Sequence, residues 1–312
     1  MSTPLVILCP GQGAQAVGMD KAFFGQSPEA RAVFEQADSI LGASLGSKLS
    51  TLCFEGPAER LNQTDASQPA IFTTSIACYA ALKAQWNYGN GEAPIAAAAG
   101  LSLGEYTALT IGGAMSFEDG LKLVALRGRA MQDAAEASQG GMVALIGADE
   151  AQALQVCEKA RGGDVLVCAN FNAPGQIVLS GSKSACDRAG PIASELGLRA
   201  TALVVAGAFH SPLMKPAADR LHDALEKTSI RAPRCPVFAN VTAAPHEAEP
   251  AGIRRRLVEQ LTSPVRWAQS CAAIAAQQGG KAEFHELAPG RTLAGLYRRI
   301  DKNIKVLPHE EP

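Results

Sequence analysis

The chain has 312 residues, 47% hydrophobic and 19% charged, with 28 basic residues against 30 acidic ones and a net charge of −2. Size scaling gives such a chain roughly 35,000 Å² to bury, enough for one large core or two unequal ones. High apolar content with little net charge excludes a disordered chain, and the charge balance leaves no basic excess for nucleic acid as the main partner.

Leu5–Cys9 is a short apolar run ended by Pro10-Gly11, the pattern of a buried parallel strand. Ser27 then caps a helix over 28–41, with Pro28 at its first position. A second helix is expected over 68–86, a strand over 95–99, a helix over 104–111 and a long helix over 117–136. The stretch 93–117 carries a single charge, Glu105. Its small and hydroxyl residues predict a buried strand and helix, not a membrane span. Next come a strand over 141–146, a helix over 149–161, strands over 165–169 and 176–180, a helix over 182–196 and a strand over 199–205. That order, βαββαβ, is the ferredoxin-like unit, sized as a small subdomain inserted in a larger α/β domain. A helix near 212–227, a strand over 237–240, helices over 253–261 and 267–278, and a strand over 282–287 complete the pattern. The tail, 308–312, is expected to fray.

Eight cysteines are scattered through apolar surroundings, and none forms a C-x-x-C pair. The start Met1-Ser2-Thr3-Pro4 lacks the basic segment of a secretory leader. Both features predict a reducing cytoplasm. No paired Cys/His spacing points to a metal.

Gly100-Leu101-Ser102-Leu103-Gly104 fits the nucleophile elbow, in which a serine is held exposed on a sharp strand-to-helix turn. Gly42-Ala43-Ser44-Leu45-Gly46 also fits, but it follows a helix, so Gly42 reads as a helix terminus and Ser44 as loop. Of five histidines, His309 lies in the tail, His246 in a polar loop, His222 on a charged helix and His285 in a strand as a core residue. His210 follows the apolar run ending Val204-Val205 and precedes Pro212, which puts it at the functional rim of a sheet as the candidate base. Gly11-Gln12-Gly13-Ala14-Gln15-Ala16 matches a dinucleotide fingerprint, but no second strand with a terminal acid follows, so a backbone donor for an oxyanion is the better reading.

Several motifs converge here. They are Pro10-Gly11-Gln12-Gly13-Ala14-Gln15, Gly100 to Tyr106, Arg127-Gly128-Arg129-Ala130-Met131-Gln132, Asn170-Phe171-Asn172-Ala173-Pro174-Gly175-Gln176, Ala208-Phe209-His210-Ser211, Asn240-Val241-Thr242, Gln260-Leu261 and Pro264-Val265-Arg266-Trp267. Nearly end to end, the chain resembles the malonyl-CoA:acyl carrier protein transacylases of bacterial-type fatty acid synthesis. The resemblance implies Ser102 as acylated nucleophile, His210 as base and acid, and a Gln260 carbonyl orienting His210. It implies an oxyanion hole from the N–H groups of Gln12 and Leu103, Arg127 on the malonyl carboxylate, and a pocket lined by Met131, Asn170 and Phe209. Phe209 beside His210 is expected to crowd an α-methyl branch. A planar guanidinium suits a carboxylate, which it grips with two parallel bonds.

With the elbow, the resemblance implies an α/β-hydrolase-like large domain, residues 1–137 and 206–312, with an inserted ferredoxin-like βαββαβ small subdomain, residues 138–205. It implies a cytoplasmic monomer with no bound cofactor, a CoA thioester as substrate and acyl carrier protein as transient partner. No nucleic acid or membrane partner is expected. Arg254-Arg255-Arg256 and Arg298-Arg299 either guide an acidic carrier or are solvated faces, the simpler reading. Two positions depart from the family. Leu101 stands where a histidine is usual, and Glu286-Leu287-Ala288-Pro289-Gly290 replaces Glu-x-Gly-Pro-Gly. Competing readings are a serine esterase or thioesterase, a polyketide acyltransferase, and a non-catalytic carrier-binding module.

Overall fold

The computed structural model describes residues 3–86 and 94–312. Met1 and Ser2 of the chain start, and Ala93 of the stretch weighed as a membrane span, lie outside it. In chain order, β1 (Leu5–Cys9) leads into α1 (Lys21–Gln26), α2 (Pro28–Leu41), α3 (Leu49–Glu55), α4 (Ala58–Leu61) and α5 (Thr64–Trp86). Then come β2 (Ile95–Gly100), α6 (Gly104–Ile111) and α7 (Phe117–Ala137). The middle holds β3 (Gly140–Ile146), α8 (Glu150–Arg161), β4 (Leu166–Ala173), β5 (Gln176–Ser182), α9 (Lys183–Glu195) and β6 (Arg199–Ala202). A 3₁₀ turn (Pro212–Met214) and α10 (Lys215–Lys227) follow, then β7 (Val237–Ala239), β8 (Ala244–Pro245), α11 (Pro250–Gln260), α12 (Trp267–Gln278), β9 (Glu283–Leu287), α13 (Thr292–Ile300) and β10 (Val306–His309).

Two sheets result. The larger runs β10-β9-β1-β2-β7-β8, parallel except for the short β8. β1 and β2 sit at its centre, with apolar clusters on both faces, one around Ile7 and Phe72, the other around Val6 and Trp267. Burial on both sides is why these strands read as unbroken apolar runs. The smaller sheet, β4-β5-β3-β6, is antiparallel and packs α8 and α9 over its own core of Leu145, Val156 and Leu179. The α/β architecture is therefore a mainly parallel six-stranded sheet joined to a four-stranded antiparallel subdomain.

Several expectations need correcting. α5 starts at Thr64, a turn before the expected 68, because the Thr64 N–H is taken by Gln132 and Asp65 is held by Arg60. β6 stops at Ala202. Leu203, Val204 and Val205 leave the sheet and are 37%, 106% and 36% exposed, so no buried strand precedes His210. Of the tail expected to fray, Pro308 and His309 instead end β10, paired in parallel with β9 and tied down by the His309 carbonyl on Cys78, while 310–312 lie exposed outside any element. His246, expected in a polar loop, is buried against Glu105. The short α1, α3, α4 and α13 have no counterpart in the sequence reading, which shows how weak a signal one or two turns give.

All eight cysteines are free thiols, seven of them buried. No described helix is long and apolar enough to cross a membrane.

Candidate active site

Ser102 occupies the turn between β2 and α6 with φ of 53°, a left-handed conformation. Gly100 and Gly104 permit the turn. A Cβ on Gly100 would strike the backbone of Gly104, and one on Gly104 would strike the Cys9 carbonyl. Asn240, just beyond β7, clamps the elbow from the side. Its Oδ1 accepts the Ser102 N–H at 2.7 Å and its Nδ2 donates to the Gly100 carbonyl at 2.7 Å.

His210 Nε2 lies 2.8 Å from Ser102 Oγ, and its Nδ1 lies 2.8 Å from the main-chain oxygen of Gln260. A carbonyl only accepts, so Nδ1 carries the hydrogen and Nε2 is left to accept from the serine hydroxyl. Burial, and secondarily the Arg127 charge, push the His210 pKa down to about 4, against a smaller upward pull from the Gln260 carbonyl. The imidazole is thus a neutral base at ordinary pH.

Arg127 comes from the inner face of α7 and is 1% exposed. Its Nη1 donates to Gln68 Oε1 at 2.6 Å, and its Nη2 donates to Ser102 Oγ at 3.0 Å and Gln260 Oε1 at 2.9 Å. The guanidinium lies over the Tyr106 ring at 5.4 Å. Burial lowers its pKa, while Tyr106 and Glu105 pull back. Every acceptor that holds it is neutral, and its Nε has no partner among the described residues. A desolvated guanidinium next to a serine hydroxyl, with no carboxylate on it, suits an anionic group.

The N–H groups of Gln12 and Leu103 make no hydrogen bond among the described residues, and both residues flank Ser102. The Gln12 loop approaches so closely that a Cβ on Gly11 would strike the Leu101 carbonyl. Gln12 is itself held by Thr64 through its side-chain amide.

A cavity of about 180 Å³ opens onto Ser102 and His210. The expected Met131, Asn170 and Phe209 line it, as does Leu101. The sequence reading missed Met142, Asn172 and Val178 of the small subdomain, and the loop residues Leu203 and Val205. It also missed Gln68 as a partner of Arg127. Asn240 stood in a motif that was noticed but given no role. Gln260 contributes its main-chain oxygen to His210, while its side chain serves Arg127 and Glu105. Ser44 is exposed in the turn after α2 and does not line this cavity. A larger cleft, about 550 Å³ beside Phe171, Pro174 and Ala272, holds none of the nucleophile, base or guanidinium groups.

The acyl transferase domain family matches residues 6–305. The malonyl CoA-acyl carrier protein transacylase of Bacillus subtilis is 41% identical over 310 residues, 99% of this chain and 94% of that one. The crystal structure of the malonyl-CoA:acyl carrier protein transacylase of Xanthomonas oryzae superposes with a TM-score of 0.90 at 42% identity, covering 100% of this chain and 96% of that one. A malonyl-transacylase in complex with its type II polyketide acyl-carrier protein superposes with a TM-score of 0.91 at 36% identity, covering 99% and 97%.

Proposed function

The chain belongs to the malonyl-CoA:acyl carrier protein transacylases of the acyl transferase family, and we propose that it moves the malonyl group through an ester on Ser102. It transfers malonyl from malonyl-CoA to acyl carrier protein in fatty acid synthesis. The observation that carries the residue assignment is the meeting at Ser102 Oγ of a neutral imidazole at 2.8 Å and a guanidinium at 3.0 Å.

His210 takes the Ser102 proton as Oγ attacks the thioester carbonyl. The N–H groups of Gln12 and Leu103 receive the developing oxyanion. The proton on His210 then goes to the departing CoA sulfur. In the second half the phosphopantetheine thiol of the carrier attacks the ester, with His210 acting again as base. Arg127 holds the malonyl carboxylate throughout, and Met131, Asn170 and Phe209 shape the pocket around it. No cofactor is needed beyond the thioester. One chain supplies every residue, which supports a monomer, and eight free thiols support a cytoplasmic setting. The boundaries 1–137 with 206–312, and 138–205, are part of the same proposal. The separate core of the small sheet supports them.

Intact-protein mass spectrometry tests the assignment. Malonyl-CoA should add one malonyl group, which holo carrier protein should remove. Ser102→Ala should stay unlabelled and Ser44→Ala should label normally. An adduct on Ser102→Ala overturns the nucleophile, and equal loss of the ester with and without carrier points to a thioesterase.

A further inference from the structure

Glu105 is fully buried one turn past the nucleophile, and it bonds neither Ser102 Oγ nor Arg127. Its Oε2 accepts from Gln260 Nε2 at 2.7 Å and from the Asn240 N–H at 3.0 Å. Its Oε1 meets His246 Nε2 at 2.7 Å, with both side chains fully shielded from solvent. A backbone N–H only donates, so Oε2 is an acceptor here. Gln260 must therefore turn its NH₂ toward Glu105, where it also reaches the Ser102 carbonyl at 3.0 Å, and its amide oxygen is left facing Arg127 Nη2.

We infer that Glu105 is a positioning residue for malonyl selection, acting on Arg127 through the side chain of Gln260. The carboxylate sets which end of that amide the guanidinium meets, and so aims Nη2 at Ser102 and at the arriving malonyl carboxylate. His246 completes the device. With Gln260 and Asn240 on one oxygen and His246 on the other, Glu105 is satisfied without capturing Arg127 as an ion pair. A carboxylate bonded directly to Arg127 would occupy the place the substrate needs. The sequence separations, 141 residues to His246 and 155 to Gln260, hide this arrangement from any local reading.

The inference rests on the reading of Ser102, His210 and Arg127 given above, and its test separates the two. The quantity is kcat/KM for malonyl-CoA divided by kcat/KM for acetyl-CoA, with carrier protein as acceptor. A ratio is insensitive to the fraction of enzyme that folds. E105L removes both acceptor oxygens, so only the Ser102 carbonyl still holds the Gln260 NH₂ and the amide is free to turn away from Arg127. It should lower the ratio at least tenfold. E105Q keeps one oxygen for Gln260 and Asn240 while its NH₂ donates to His246 Nε2 in the other tautomer, so it should keep more of the ratio than E105L does. Q260L removes the relay and should lower the ratio as E105L does, and the double variant should go no lower. If E105L loses both substrates alike, or E105Q falls below E105L, Glu105 only supports the fold and the inference is overturned. Should E105L not accumulate, Q260L decides: a parallel loss of both substrates overturns it. R127A is the reference arm. If R127A leaves the ratio intact, the reading of Arg127 fails and this inference with it. If R127A collapses the ratio while E105L and Q260L do not, only the role of Glu105 fails.

Discussion

The two walls of the active-site cavity are built on opposite terms. The elbow wall comes from β2, α6 and α7, where Ser102, Glu105 and Arg127 are locked by glycine-packed backbone and buried hydrogen bonds. The facing wall comes from the small sheet and the loop after β6, where Leu203, Val204 and Val205 stand open to solvent. The first wall can hold atoms to a few tenths of an ångström, as bond making requires. The second sets the apolar Met142, Val178, Leu203 and Val205 beside the amides of Asn170 and Asn172, with its loop residues open to solvent. The contrast teaches that damage to the elbow wall should appear in kcat and selectivity, and damage to the loop in KM.

The largest effect should come from Arg127→Ala. Truncating one member of a buried charge pair costs on the order of 2–5 kcal/mol, or roughly thirty-fold to several thousand-fold in kcat/KM for malonyl-CoA. Acetyl-CoA should lose nothing comparable. Equal losses for the two thioesters in steady-state transfer would assign carboxylate recognition elsewhere. Asn240→Ala comes next. It leaves the Ser102 N–H and the Gly100 carbonyl unsatisfied, so kcat should fall about 10- to 100-fold. Because Asn240 holds the elbow and not the carboxylate, the malonyl-to-acetyl ratio should not change. A ratio that moves with it would merge the two roles.

A pH profile sharpens the same wall. The His210 pKa is lowered to about 4, by burial first and Arg127 second. The imidazole gains its proton, and activity is lost, only as pH falls through that value. The acid limb of kcat/KM should therefore lie near pH 4. Arg127→Ala removes the second cause and should move the limb upward, though burial keeps it below the ordinary histidine value near 6.5. A limb that stays put would show that the guanidinium is screened from the base. The smallest effects belong to the loop. Leu203→Ala and Val205→Ala remove part of an apolar contact, so KM should rise about three- to fivefold with kcat within about twofold. A kcat loss equal to that of Asn240→Ala would break the comparison.

What the sequence disclosed follows the same division. Ser102 was legible because its context is local: an apolar strand, two glycines and a helix within a dozen residues. β3 to β6 were legible because antiparallel strands and their helices alternate at short range. His210 was found for a reason that does not hold, since the apolar run before it is an exposed loop and not a strand. Val205 lines the cavity while Val204 faces solvent, and periodicity cannot tell a lip from a core. Leu101 lines the cavity beside Ser102. Gln68, Asn240, Glu105 and His246 escaped because their roles are pairings over 59 to 155 residues. Pro308 and His309 were misread because an edge strand owes its order to a neighbour, not to its own composition.

Among the described residues only four other than glycine have a left-handed backbone, and two of them are Ser102 and His210, at φ of 53° and 56°. Such a conformation costs a residue with a Cβ roughly 1–2 kcal/mol. The proposed nucleophile and its proposed base therefore both sit on tensed backbone that the rest of the fold must hold down. Thermal endurance and turnover are then in opposition at these two positions. Glycine relieves that tension and alanine does not. Of two inactive variants, Ser102→Gly should outlast Ser102→Ala in urea by about 1 kcal/mol, although both lack the same hydroxyl. Equal urea midpoints would mean that the turn is relaxed. A lower midpoint for alanine would locate the strain at the Cβ, the atom a side chain at this position must have before it can carry a hydroxyl at all.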